Sequence, residues 1–100
     1  MNNLPPIVET AVHIRNPITK NGSVYVIGYG VSFANTGETM ALIDGVKRIA
    51  PGTTWMIGHG ELHAVFAQRF IVKFEGDGEN YLEVEEHQLK ECDYSNYEKQ

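Results

Sequence analysis

Two clusters of histidines and carboxylates are the parts of this sequence whose residue types could hold a metal or move a proton. The first, HGELH (His59 to His63), has the ingredients of a zinc site. It is not the zinc-protease H-E-x-x-H pattern, because the Glu stands third and Gly60 would weaken the helix which that pattern needs. In an extended chain, residues four apart lie ~13 Å apart. That is too far for two nitrogens that must each approach one zinc ion to ~2.0–2.1 Å. The stretch reads as a polar loop leading into a strand.

The second cluster, EGDGENYLEVEE (Glu75 to Glu86), puts Glu75, Asp77, Glu79 and Glu86 at positions 1, 3, 5 and 12 of a window with EF-hand spacing. Position six, which must be Gly, is Asn80, and both flanks read as strands where an EF-hand has helices. A solvated hairpin tip accounts for the acids, with Gly76 and Gly78 supplying positive φ. Nucleophilic chemistry finds no better footing. Cys92 sits among acids in KECDYS, which raise a thiol pKa. Ser23 and Ser32 lie in strand-like runs, and His13 and His87 fall on faces expected to point outward. Trp55, the only Trp, reads as a core residue before it reads as a binding platform. No catalytic residue, metal ligand or cofactor is assigned, and the chain is expected not to be an enzyme.

The bulk numbers agree with one folded domain. One hundred residues, 42% of them hydrophobic and 21% charged, suffice for a single modest core. The net charge of −5 is uneven: residues 51–100 carry four Lys/Arg against ten acids, residues 1–50 four against three. No basic stretch with interleaved aromatics exists, so nucleic acid is not an expected partner. A single cysteine permits no internal disulfide. No apolar run approaches the ~20 residues that span a bilayer, and MNNLPPIVET has no signal-peptide character. A protein made in the cytosol, without a membrane partner, is expected.

The elements that must position these residues are strands. Period two runs through IVETAVHIR, where Val8, Thr10, Val12 and Ile14 share one face, with Glu9, His13 and Arg15 on the other. In SVYVIGYGVSF, Tyr25, Ile27, Tyr29, Val31 and Phe33 form an apolar face. The small opposite face, with Gly28 and Gly30, would let another backbone lie close. Asn21-Gly22 between the two runs predicts a hairpin. Shorter strands follow in ETMALID, VKRI and TTWMIG, separated by Asp44-Gly45 and Pro51-Gly52. ELHAVFAQRFIVKF alternates around Gln68, which predicts a bulge or a break, and YLEVEEHQL is the last strand. About seven strands at this spacing predict a single antiparallel β-sandwich, immunoglobulin-like or jelly-roll-like, over residues 7–90. Residues 1–6 form an N-terminal arm and residues 91–100 a C-terminal tail.

FANTG, followed by short apolar strands and IAPGTTW, resembles the turn grammar of small immunoglobulin-like β-sandwiches: an N-x-G turn, then a Pro-Gly turn before Ser or Thr. The resemblance implies that this punctuation turns the chain between strands. The small, acidic, cysteine-poor chain also resembles accessory virion proteins of tailed bacteriophages, such as capsid decoration, connector and tail proteins. That second resemblance implies a structural virion protein, made in the host cytoplasm, whose partners are other virion proteins and copies of itself. The acidic last strand, with Glu83, Glu85 and Glu86, would then blunt a sheet edge. Leu4, Pro5 and Pro6 in the arm and Tyr94 and Tyr97 in the tail are the interface candidates, since Tyr is enriched at interfaces. The alternative is a β-sandwich module that binds carbohydrate or peptide.

Overall fold

The structure is a computed structural model and describes residues 10–58 and 65–90. Eight strands follow one another: β1 (Thr10–Ile14), β2 (Gly22–Gly28), β3 (Gly30–Asn35), β4 (Met40–Ile43), β5 (Lys47–Ile49), β6 (Thr54–Gly58), β7 (Phe66–Glu75) and β8 (Leu82–Leu89). They form two four-stranded antiparallel sheets, in the orders β1-β8-β3-β6 and β2-β7-β4-β5. Strand β4 pairs with β5, β3 with β6, β2 with β7 and β1 with β8. The chain is thus a long hairpin with its tip at β4–β5, rolled up so that its two legs alternate between sheets. That is jelly-roll topology, and of the two sandwich types expected it is the one realised.

The tip has the chemistry of a tight hairpin. Asp44 and Gly45 both have positive φ, 52° and 74°, and the Val46 amide donates to the Ile43 carbonyl at 3.0 Å. A type I′ turn requires that geometry at both central residues. Asn21-Gly22 does something else, contrary to the hairpin expected there. Strands β1 and β2 lie in different sheets, Gly22 pairs with Val72, and Asn21 Oδ1 accepts from the Phe74 amide at 2.8 Å. Nor does Gln68 mark a bulge. The β2–β7 register runs unbroken from Gly22↔Val72 to Gly28↔Phe66, with Gln68 opposite Val26.

The core fills the space between the sheets. Val24 and Val26 of β2, Val31 and Phe33 of β3, Ala41 and Ile43 of β4, and Val72, Leu82 and Val84 are buried there. Trp55 stacks on Phe33 at 5.8 Å between ring centroids, and Phe70 meets both rings edge-on. SVYVIGYGVSF is two strands, because the chain changes sheets between Gly28 and Gly30 and the inward parity changes with it. In β2 the inner face is Val24 and Val26, the side expected to be the small one; in β3 it is Val31 and Phe33, as expected.

The turns of FANTG and APG are organised by one side chain. Asn35 is buried, and its Nδ2 donates to the Thr39 carbonyl at 2.8 Å and to the Ile49 carbonyl at 2.7 Å. Its Oδ1 accepts from the Gly37 amide at 3.0 Å. Its own amide donates to the Thr53 carbonyl, and its carbonyl accepts from Gly52. Asn35 therefore ties the β3–β4 turn to the β5–β6 turn with every polar group used, which answers to the structural role expected of this punctuation. Asn35→Ala leaves two buried carbonyls without their donor, each orphan costing ~1–3 kcal/mol. Urea unfolding should show a loss of about 3 kcal/mol; a change below about 0.5 kcal/mol, the range of a surface substitution, would contradict this role.

Candidate functional site

The most concentrated polar constellation lies where the chain passes from β2 to β3. A single residue, Tyr29, separates the two strands, so the backbone must turn from one sheet into the other within Gly28–Gly30. Strand β2 is an edge of its sheet, and its outward-directed backbone groups need partners there. Strand β8 of the other sheet provides them. The Ile27 amide donates to Glu86 Oε2 at 2.6 Å, Gln88 Nε2 donates to the Ile27 carbonyl at 2.9 Å, and the Tyr29 amide donates to the His87 carbonyl at 2.8 Å. Two side chains and one carbonyl thus imitate a neighbouring strand. The approach requires Gly28, since a Cβ at that position would lie 2.3 Å from the His87 carbonyl oxygen. The close backbone expected near these glycines is β8.

Glu86 is 1% exposed. A buried carboxylate is costly unless paired and hydrogen-bonded, and this one is both. His13 donates from Nδ1 to Oε1 at 2.8 Å, and the Arg15 guanidinium lies 3.4 Å from the same oxygen. The three sites therefore come from β1, β2 and the segment after β1, joined at one residue of β8. The expectation that Glu86 helps to blunt a sheet edge is corrected: β8 is an inner strand, between β1 and β3. His13, expected to point outward and be solvated, keeps 58% of its side chain exposed, although the register puts it on the side of β8 that carries Glu86. Period two made Glu86 findable, because it shares parity with the buried Leu82 and Val84.

The other chemical candidates separate. Glu86 is carried away from the Glu75–Glu79 turn into the core, while Glu75 pairs with Arg48 at 2.8 Å and the Glu79 amide donates to Glu38. Among the described residues, no group of three or more His, Cys, Asp and Glu gathers as a metal site would. Ser32 Oγ lies 3.1 Å from His87 Nε2, the approach that the first two members of a nucleophilic triad make. Both side chains stand on the outer side of one sheet, on the neighbouring strands β3 and β8, where they form a cross-strand hydrogen bond. Ser23 accepts from Arg69 at 3.3 Å. His59, His63, Cys92 and the interface candidates Leu4, Pro5, Pro6, Tyr94 and Tyr97 lie outside the described residues.

What remains are the two outer sheet faces. Val12 and Ile14, expected to face the core, turn out to be 50% and 70% exposed. The register explains it: Ile14 stands opposite Glu85 and Val12 opposite His87, both on the outer side of β8, whereas His13 stands opposite Glu86. Met56 of β6, 59% exposed, shares that outer face. On the other sheet, Ile71 is 52% exposed and lines a groove of about 510 Å³ with Ser23, Arg69 and Lys73. Among the described residues, no helix is long and apolar enough to cross a membrane.

No protein-family model, curated protein or solved structure matches this chain. Its function has to be argued from its own surface. The buried junction is tested by Glu86→Ala, which strands the Ile27 amide and removes the counter-charge of Arg15. The orphaned Ile27 amide costs ~1–3 kcal/mol, Arg15 and His13 are exposed enough to be rehydrated, and Glu86→Gln, which keeps the shape, should cost less. Equal stability of Glu86→Ala and wild type in denaturant unfolding would contradict the junction.

Proposed function

We propose that this protein is a non-enzymatic structural component that works by docking its outer sheet faces onto copies of itself or onto a larger lattice. The observation that carries the reading is the outward placement of Val12, Ile14 and Met56 on one sheet and Ile71 on the other. Val12 and Ile14 leave the apolar side of β1 in water, and docking would cover it. The polar groups of the chain support the same reading, since Glu86, Asn35, Gln88 and His13 are engaged in holding the sandwich together. The resemblance to accessory virion proteins of tailed phages suggests the setting, a capsid, connector or tail lattice. Jelly rolls serve viral capsids, but lectins and cupins also use them, so the fold is compatible with this setting without selecting it. The rival reading, a carbohydrate- or peptide-binding module, draws less support. Its natural platform, Trp55, is stacked on Phe33 and met edge-on by Phe70.

Light scattering on the purified protein over a wide concentration range tests the proposal. A discrete oligomer, stable on moderate dilution, is the expected result. A monomer at every concentration would remove self-association and leave only docking on a foreign lattice.

A further inference from the structure

The two outer faces differ in charge as well as in position. On the face of the β1-β8-β3-β6 sheet, one row crosses all four strands in register: Ile14, Glu85, Ser32 and Met56. Glu83 stands two residues from Glu85 on the same side of β8, ~7 Å away. Among the described residues, neither acid has an ion-pair partner. That face is therefore acidic with apolar flanks, and it bears no Lys or Arg in its strands.

The face of the β2-β7-β4-β5 sheet has the opposite sign. Arg69, Ile71 and Lys73 alternate along the outer side of β7, and a second row runs Arg48, Leu42, Lys73 across β5, β4 and β7. Arg48 is held by Glu75, and Asp44, a second acid at that face, accepts from the Ile71 amide at 2.8 Å. Arg69 lies over the Tyr25 ring and donates to Ser23, and neither it nor Lys73 meets a carboxylate among the described residues. Ile71 lies exposed between these two cations, in a shallow groove.

We propose that the acidic face of one copy stacks on the basic face of the next, with Glu83 and Glu85 meeting Arg69 and Lys73 while the Ile14–Met56 row lies against Ile71. This inference rests on the self-association reading and names its interface. A second copy is the occupant because each half of the contact is on every chain, with opposite charge and matching exposed apolar groups. Like faces would repel, since opposed charges of one sign cost several kcal/mol at an interface. The contact is consequently head-to-tail. A heterologous contact repeats until it closes into a ring or extends as an open stack. Sheet faces pack ~10 Å apart, a spacing at which these side chains reach across.

The test uses two charge-reversed proteins, Glu83→Lys/Glu85→Lys and Arg69→Glu/Lys73→Glu, on full-length chains. The first has two positive faces and the second two negative ones, so each alone should scatter as a monomer at concentrations where wild type is assembled. An equimolar mixture should recover the assembled mass, because each face of one variant then opposes a complementary face of the other. Recovery on mixing also shows that both variants are folded. Three results would overturn the proposal. If both variants keep the wild-type mass, self-association stands but uses another surface. If each is monomeric with wild-type circular dichroism and the mixture stays monomeric, the two faces do not meet. A wild-type protein that is monomeric throughout removes self-association itself.

Discussion

The fold depends on a buried carboxylate that completes the edge of a strand in the opposite sheet. A jelly roll must pass its chain from one sheet to the other again and again, and here the β2–β3 passage has one residue to do so. A passage that short cannot bring its own hydrogen-bonding partners. Glu86 and Gln88 reach across from β8 to satisfy Ile27, and the glycine at position 28 lets the strands approach closely enough for that reach. The carboxylate is stable inside only because His13 and Arg15 stand beside it. One residue of β8 thereby fixes the positions of β1, β2 and the corner between β2 and β3.

Asn35 does the corresponding work where the chain turns from β3 into β4 and from β5 into β6. It is neutral, so it needs no counter-charge, and its amide group matches the donors and acceptors of two turns. Burying a fully satisfied polar group costs little and specifies one arrangement of the chain around it. The polar chemistry of this protein is thus spent on its own architecture at both kinds of passage. The outer faces differ in charge, with Glu83 and Glu85 on one and Arg48, Arg69 and Lys73 on the other.

Strand positions were legible because period two is strong in β2, β3, β7 and β8, and because Asp44-Gly45 demands a tight turn wherever it occurs. Strand order was not legible. Asn21-Gly22 has the residues of a hairpin turn, but a turn preference acts over four residues, while β1 and β2 are separated by their pairing with β8 and β7 far along the chain. Nor could periodicity tell which side of β1 faces inward. Val12 and Ile14 are the more apolar side, yet it is His13, with Arg15, that the register sets beside Glu86. Glu86 itself shares the parity of Leu82 and Val84, so its burial was readable from β8 alone, whereas its partners were not. The opposed charge of the two outer faces required the register as well, since Glu83, Glu85, Arg69 and Lys73 are scattered in sequence and sorted only by the sandwich.

Amide hydrogen exchange of Ile27 measures the central junction directly. Ser23, Tyr25 and Ile27 alternate along the same outer edge of β2, where backbone amides are otherwise open to water. The account predicts that Ile27 exchanges as slowly as core amides such as Phe33 and Val84, while Ser23 and Tyr25 exchange fast. An Ile27 amide exchanging as fast as that of Tyr25 would mean that Glu86 does not close this edge, and the account of the corner would be contradicted.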